Sequence, residues 1–180
     1  VRAKPFKGDA NHPADPERIA RVGADMQHEV ATWDPVQNRM RNRGTPYQVG
    51  IMSDYDLRPV NNFKFGSHPK AHDINGAYWE TRLTQGLPDG CWYGCTIACA
   101  HAVDGFELQT GPYKGQRVIV DGPEYETIGA VGSTCGIFDA DAILELNFYC
   151  DTYGIDTISY GNTIGFLMEC YEAGILDLEK

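Results

Sequence analysis

The hydrophobic pattern of the chain predicts a mainly α-helical protein. Asp15-Pro16-Glu17 is typical of a helix start, because an aspartate can cap the first turn and proline suits the first helical position. Apolar residues then recur at helical spacing to about Ala31; they are Ile19, Val22, Met26 and Val30. Asp34-Pro35 repeats the start signal, and Gly44 can end a second, shorter helix.

Further elements follow an irregular stretch. Residues 45–72 contain several X-Pro steps and isolated glycines and predict no regular structure, whereas a helix is expected over about 73–85. Residues 105–109 and 116–120 flank a Gly-Pro turn and predict a β-hairpin. Beyond it the pattern predicts three helices, at 124–131, 139–150 and about 162–172. The expected fold class is mainly α with one small β-hairpin.

Length and composition are those of a soluble globular protein. The 180 residues suffice for one domain with a sizeable core. The chain has no apolar run of about 18 residues and no secretory leader, so we expect no membrane span and a cytoplasmic location. It begins at Val1, and Gly174-Ile175-Leu176 leads into a new segment, so we also expect part of a longer polypeptide.

Charge is distributed unevenly along the chain. Residues 91–180 contain 3 basic and 14 acidic side chains, a net charge of −11, whereas residues 1–90 contain 12 and 11. Such acidity repels phosphate backbones, so we expect no nucleic acid partner. A face for a basic partner, or a hard metal ion among the carboxylates, remains an alternative. We interpret Arg39, Arg41 and Arg43 as a solvated helix face rather than a phosphate site.

Three of the six cysteines, Cys91, Cys95 and Cys99, fall within nine residues at C-x3-C-x3-C spacing. Thiolates this close can face one soft metal centre, and Gly90 and Gly94 let the backbone fold tightly around it. A 4Fe–4S cluster needs four such ligands, so this loop lacks one. A zinc site and a buried turn with inert thiols are the alternatives.

Two pairs of residues are candidates for acid–base chemistry. His68 and His72 are four apart, so they can share a helix face and bind metal or relay protons, although Pro69 makes a regular helix less certain. Glu124 and Glu126 lie at a predicted helix start and can act as general acid or base where burial raises the pKa. Surface histidines and simple helix N-terminal charge are the structural alternatives.

The segment 151–159 combines a helix end with a dense set of polar groups. Gly154 can take the left-handed conformation that ends a helix. Asp151, Asp156, Thr157 and the turn amides then offer donors and acceptors that suit a polar heterocycle such as a pterin. The alternative is a helix C-terminus followed by an N-cap.

Together these motifs resemble the tungsten aldehyde:ferredoxin oxidoreductase family. A strong resemblance over residues 90–174 is carried by the cysteine loop, Gly-Pro-Glu-Tyr-Glu-Thr at 122–127, Cys135-Gly136-Ile137, Asn147 and the motif at 150–159. A looser one over residues 57–76 is carried by the segments 58–63 and 74–76. The resemblance implies that residues 1–22 are the tail of an N-terminal pterin-covering domain. It implies that residues 23–180 form the family's first helical domain, which binds the iron–sulfur cluster and pterin and is incomplete at its C-terminus.

The resemblance also implies the cofactors. Family members bind a tungsten bis-pterin cofactor, less often with molybdenum, beside a 4Fe–4S cluster, and Mg²⁺ bridges the pterin phosphates. Three cluster ligands match Cys91, Cys95 and Cys99, and the fourth lies in sequence beyond this chain. The residues that match the first pterin motif, with the threonine beside it, are Asp151, Gly154, Ile155, Asp156 and Thr157. Glu124 or Glu126 matches the acidic residue near the metal.

One departure from the family bears on the substrate. Aldehyde-oxidising members space the first two cysteines C-x2-C, whereas Cys91 and Cys95 are C-x3-C apart, which is more similar to the tungsten subunit of ATP-independent benzoyl-CoA reductases. In that branch a thiolate binds tungsten, and Cys135 is our candidate; a small packed residue is the alternative. His68 and His72 are then the proton donors to the aromatic ring.

The preferred hypothesis is therefore reduction of an aromatic acyl-CoA, and the alternative is interconversion of aldehyde and carboxylate, with Glu124 or Glu126 activating water or substrate. The implied electron partner is a ferredoxin or an iron–sulfur subunit, in a hetero-oligomer or homodimer. A non-enzymatic electron-transfer module with a cluster but no pterin is a second alternative, although it leaves residues 151–159 unused. A structural zinc domain is the third.

Overall fold

The computed structural model describes residues 12–34, 38–84, 90–91 and 95–177. Helices dominate, as the hydrophobic pattern predicts. They are α1 (Pro16–Thr32), α2 (Arg39–Arg43), α3 (Gln48–Asp54), α4 (Gly76–Arg82), α5 (Tyr125–Thr127), α6 (Ala140–Tyr153) and α7 (Thr157–Glu172). Single 3-10 turns span Thr45–Tyr47, Pro69–Ile74 and Ser133–Cys135, and a π turn spans Ile128–Gly132.

The predicted start of α1 is confirmed, since the Asp15 carboxylate accepts a hydrogen bond from the Arg18 backbone N–H at 2.9 Å. None of the residues of α1 is buried, and Met26 is 60% exposed. Its apolar stripe is thus uncovered by the described part of the chain. Local capping signals, and not packing, define this helix here.

Two sequence expectations concern residues 34–72, and the structure corrects one of them. α2 begins at Arg39, where the Asn38 side chain accepts from the Arg41 backbone N–H at 3.2 Å. The predicted helix start at Asp34-Pro35 includes residues 35–37, which lie outside the described residues. Residues 45–72 are not wholly irregular, because they contain α3. Val49 of α3 is β-branched and has a weak intrinsic helix propensity, but it is fully buried. Tertiary packing therefore stabilises this helix more than the propensity of its residues does.

The hairpin pairs β1 (Ala102–Glu107) with β2 (Arg117–Asp121) in antiparallel register. A bulge interrupts the pairing between Val103 and Phe106, and Gly105 within it has a φ of +69°. β1 therefore begins at Ala102, three residues before the predicted start, and Gly105 forms a bulge inside it.

The core lies between the hairpin, α6 and the 128–135 segment. Its fully buried members include Trp79, Leu108, Ile128, Ile143 and Leu144. α7 lies directly on this segment through two buried glycines. A Cβ on Gly161 would lie 2.3 Å from the carbonyl carbon of Ala130, so a larger residue does not fit.

Within the described residues, none of the helices alone has the length and apolar character to cross a bilayer. Two consecutive helical segments, Tyr125–Cys135 and Ala140–Tyr153, meet at a bend of 115° and reach that length and apolar character only when taken together.

Candidate active site

A cavity of about 460 Å³ lies where the cysteine loop, the end of β2 and the α6–α7 turn meet. The predicted site residues that line it are Cys91, Glu124, Asp151, Ile155, Asp156 and Thr157. These residues come from three motifs that are far apart in the sequence. The fold therefore brings the cysteine, glutamate and pterin-matching motifs to one place.

Glu124 is held in this cavity by Thr45, which lies 79 positions earlier in the sequence. The Thr45 hydroxyl donates to the Glu124 carboxylate and accepts from the Tyr125 backbone N–H at 2.9 Å. Burial raises the pKa of Glu124, and the hydrogen bond from Thr45 opposes that rise. A half-buried carboxyl with a raised pKa accepts a proton more readily than a free carboxylate does.

The cysteine loop is anchored to the first two helices. The Thr96 hydroxyl donates to the Gln27 carbonyl at 3.0 Å, and the Thr96 backbone N–H donates to the Gln27 side chain at 3.2 Å. The Arg41 guanidinium donates to the Thr96 carbonyl. At the far end of the loop, the His101 ring donates through Nδ1 to the Cys99 carbonyl at 2.8 Å. Side chains therefore hold the backbone next to Cys95 and Cys99.

The three thiols of the loop are free and lie within electrostatic reach of one another. Burial raises the pKa of Cys99, and the charge of Glu124, then Cys95 and Cys91, raise it further. A bound metal cation reverses this effect, because a coordinated thiol is deprotonated. In the described part of the chain, His, Cys, Asp and Glu side chains form no ready group of three around a common point. The loop thus offers suitable soft donors rather than a closed metal site.

The α6–α7 turn has the predicted conformation. Gly154 ends α6 with a φ of +68°, and the Ile155 N–H donates back to the Cys150 carbonyl at 2.8 Å. Asp156 caps α7, since its carboxylate accepts from the Ser159 N–H at 2.8 Å. The turn is therefore a helix end followed by an N-cap, as the structural alternative predicts, and three of its residues also line the cavity, namely Ile155, Asp156 and Thr157.

Asn147 is a cavity residue to which we assigned no role from sequence. It is buried, and its amide donates to the Asp121 carbonyl and to the Asp151 carboxylate, the latter at 3.2 Å. Burial raises the pKa of Asp151, and the charge of Asp121 adds to this effect. The sequence signal for Asn147 is its polar side chain four residues before Asp151, which places both residues on one face of α6.

The remaining candidates do not line this cavity. Glu126 is exposed, and so is His72. His68 stacks on Phe138 at 4.3 Å between ring centroids and caps the 3-10 turn by accepting from the Lys70 N–H at 3.1 Å. The segment from Pro69 to Ile74 is a 3-10 helix, so the regular α-helical face that the two histidines could have shared is not formed.

Cys135 is buried in a tight turn beneath α7. Its thiol contacts the Gly161 carbonyl at 3.3 Å and the Ala130 carbonyl at 3.5 Å, and burial raises its pKa. It borders a separate cavity of about 190 Å³. This geometry matches the packed-residue alternative, and a tungsten-ligand role for Cys135 stays a prediction.

Comparison with known proteins identifies the family. Aldehyde ferredoxin oxidoreductase, domains 2 and 3, matches residues 21–180. Tungsten-containing aldehyde ferredoxin oxidoreductases of Pyrococcus furiosus and Thermococcus kodakarensis are each 37% identical, over 100% and 98% of this chain. A Pyrococcus furiosus aliphatic sulfonate oxidoreductase, WOR-like subunit, is 40% identical over 74% of this chain and 20% of its own length.

The chain spans 28% and 27% of the length of the first two relatives. The match over residues 21–180 covers most of the sequence, and it includes every residue that lines the candidate site. The chain therefore belongs to the aldehyde ferredoxin oxidoreductase family.

Proposed function

We propose that the protein containing this chain is a tungsten-pterin, iron–sulfur oxidoreductase that oxidises aldehydes to carboxylates. The observation that carries the proposal is the shared cavity of Cys91, Glu124 and Asp156, which joins a thiol loop, an acid–base group and a polar turn. Relatives named as tungsten-containing aldehyde ferredoxin oxidoreductases support the same activity. Residues 1–22 are proposed as the end of a preceding domain and 23–180 as the cofactor-binding helical domain.

The described residues suit the proposed cofactors in their chemistry. Cys91, Cys95 and Cys99 are free thiols and would supply three ligands of a 4Fe–4S cluster, while the turn from Asp151 to Thr157 would hold the pterin. When bound, tungsten-pterin supplies two-electron redox chemistry, and the cluster passes electrons singly. Molybdenum in place of tungsten, and Mg²⁺ on the pterin phosphates, stay predictions from the family resemblance.

The proposed reaction balances when an external one-electron carrier accepts the two electrons in two steps. Aldehyde and water give the carboxylic acid, two protons and two electrons; the aldehyde C–H bond breaks and a new C–O bond forms. Glu124 is proposed to take the proton from the oxygen that attacks the carbonyl carbon, because its carboxyl lies in the cavity with a raised pKa and accepts a hydrogen bond from Thr45. Asp151, whose pKa burial also raises, belongs to the turn proposed to bind the pterin. The two electrons leave, one at a time, to a ferredoxin or an iron–sulfur subunit. A hetero-oligomeric or homodimeric assembly and a cytoplasmic location are retained as predictions.

Reduction of an aromatic acyl-CoA is the second candidate. The C-x3-C spacing of Cys91 and Cys95, with Trp92-Tyr93 between them, favours it. Against it, the Cys135 thiol faces backbone carbonyls and His68 is engaged in a ring stack. The named relatives also favour the aldehyde reaction, so our sequence-based preference for benzoyl-CoA reduction lacks support and the alternative replaces it.

Anaerobic assays of the native protein with a viologen dye separate these functions. Aldehyde-dependent dye reduction, without reduction of benzoyl-CoA, is the expected result. Ring reduction without aldehyde oxidation overturns the proposal. Cys135→Ala gives an independent test, because tungsten content is expected to stay unchanged unless this thiolate is a ligand.

A further inference from the structure

Three arginines of α2 lie beside the cysteine loop. They are Arg39, Arg41 and Arg43, and the sequence between Asp34 and Asp54 holds no acidic residue. Arg41 links this helix to the loop, because its guanidinium donates to the Thr96 carbonyl and, at 3.2 Å, to the Ala31 carbonyl. Thr96 directly follows Cys95, so Arg41 joins α2 to the backbone next to one of the proposed cluster ligands.

The surface around α2 also carries apolar side chains. Trp33 is 39% exposed and borders a cavity of about 200 Å³ together with Arg39 and Ile97, the latter from the cysteine loop. Aromatic and arginine side chains are enriched at protein–protein contacts. We define the α2 face as Trp33, Arg39, Arg43 and Ile97.

The positive charge of the α2 face contrasts with the rest of the chain. The net charge is −10, and the second half alone carries −11. Arg39 is exposed, and the Arg43 side chain is 50% exposed in a 3.3 Å ion pair with Glu80. An exposed ion pair is weak in water, so it holds Arg43 only loosely.

We propose that the α2 face is the docking surface for an acidic iron–sulfur electron-carrier protein of the ferredoxin kind. The inference rests on the proposed function, because docking here serves electron transfer only if the cysteine loop holds a cluster. Electron transfer requires a short distance between donor and acceptor, and the α2 face includes Ile97, which lies two residues from Cys95 and from Cys99 in the sequence. Its positive charge attracts an acidic carrier, while the acidic second half repels the same carrier elsewhere.

The test is direct binding of a purified acidic ferredoxin to the anaerobically purified native protein. Arg39→Glu is compared with Arg117→Glu, which makes the same charge change on exposed Arg117 of the hairpin. At low ionic strength, Arg39→Glu is expected to weaken binding on the order of tenfold, and Arg117→Glu by less than about twofold. The difference shrinks at high ionic strength, where charges are screened. Arg39→Lys, which keeps the charge, is expected to bind within about threefold of the wild type.

Unchanged binding by Arg39→Glu, or equal weakening by Arg117→Glu, overturns the α2 face as the docking surface. Dye-linked aldehyde oxidation by the wild-type protein tests the proposed function separately, since a small dye needs no protein docking surface. A wild-type protein that oxidises aldehydes but binds ferredoxin regardless of Arg39 retains its function and loses this docking site. If binding depends on Arg39 but the wild-type protein does not oxidise aldehydes, the α2 face is retained as a docking surface and the proposed function is overturned.

Discussion

The hydroxyl of Thr45 donates a hydrogen bond to the carboxylate of Glu124, a residue 79 positions further along the chain. The same oxygen accepts from the backbone N–H of Tyr125, so Thr45 fixes both the carboxylate and the start of α5. Gly44 precedes Thr45, and an added Cβ there would lie 3.0 Å from the His101 ring, next to the cysteine loop. The connection between α2 and α3 thereby sets the position of the candidate acid–base group.

Replacing Glu124 by Gln is expected to lower kcat for aldehyde oxidation by about 10²–10⁴, because general acid–base catalysis is lost. Tungsten and iron contents should be unchanged. Glu126→Gln is the matched control, since Glu126 is exposed and two residues away, and it should retain near wild-type activity. Steady-state assays with a viologen dye measure both. A larger loss from Glu126→Gln than from Glu124→Gln contradicts the assignment.

Thr45→Val is expected to shift the pH dependence of the reaction. The hydrogen bond from Thr45 lowers the pKa of Glu124, against the effect of burial, so its loss raises that pKa further. A base must be deprotonated, and the acidic limb of the kcat/KM profile therefore moves to higher pH while activity on the alkaline side of that limb is retained. Thr45→Ser keeps the hydroxyl and should leave the limb in place. A limb that moves to lower pH in Thr45→Val refutes this account.

The local signals of the sequence predicted the second half of the fold well. Asp139 and Gly154 act through their own side chain or backbone on neighbouring residues, and they begin and end α6 as expected. Asp156 begins α7 at Thr157, about five residues before the predicted start, as the N-cap alternative for this segment has it. α3 was missed because the buried environment of Val49 comes from distant parts of the chain. The predicted helix at 124–131 is a three-residue α5 followed by a π turn, in a fully buried segment where packing decides the geometry.

The sequence predicted which residue types form the candidate site, but not which of two equivalent candidates lies in it. Sequence alone left Glu124 and Glu126 equivalent, and the bond to Thr45 distinguishes them only in three dimensions. The sequence assigned no site role to Arg58, although it lies in a segment that resembles the family. It is 1% exposed, its Nε donates to the Ser133 hydroxyl at 3.0 Å, and burial lowers its pKa to about 10. Neither of its terminal nitrogens has a hydrogen-bond partner among the described residues.

Serine substitutions of the loop cysteines are expected to reduce cluster content. Cys91→Ser, Cys95→Ser and Cys99→Ser should each lower iron and labile sulfide in the anaerobically purified protein, because serine is a harder ligand than thiolate. Cys170→Ser is the control, since Cys170 is half-buried on α7 and outside the candidate cavity. Iron content that falls equally in Cys170→Ser argues against a specific role for the loop.

Two substitutions of Asp156 separate its capping role from cofactor binding. Asparagine can still cap α7 but removes the negative charge, whereas alanine loses both. If the residue serves only as a cap, Asp156→Asn retains full pterin content. We expect Asp156→Asn to lower the pterin extracted per chain while its thermal unfolding midpoint stays near that of the wild type, and Asp156→Ala to lower both.

The contact of α7 with the 128–135 segment predicts a stability effect. Gly161→Ala places a Cβ 2.3 Å from the backbone of Ala130, and such overpacking costs about 1–3 kcal/mol or more. Gly23→Ala is the control, because nothing lies within 4 Å of a Cβ there and alanine favours an α1 interior by about 1 kcal/mol. Thermal unfolding should show a lower midpoint for Gly161→Ala only; equal midpoints mean that α7 packs differently.

The central claim is that the thiol loop and the α6–α7 turn form one cofactor site. Anaerobic analysis of the native protein for tungsten, molybdenum, iron, zinc and labile sulfide tests it most directly. The account predicts about one tungsten and at least about four iron atoms per chain, with labile sulfide. Iron and sulfide without tungsten or molybdenum would contradict it and favour an electron-transfer module, and zinc without sulfide would favour a structural metal site.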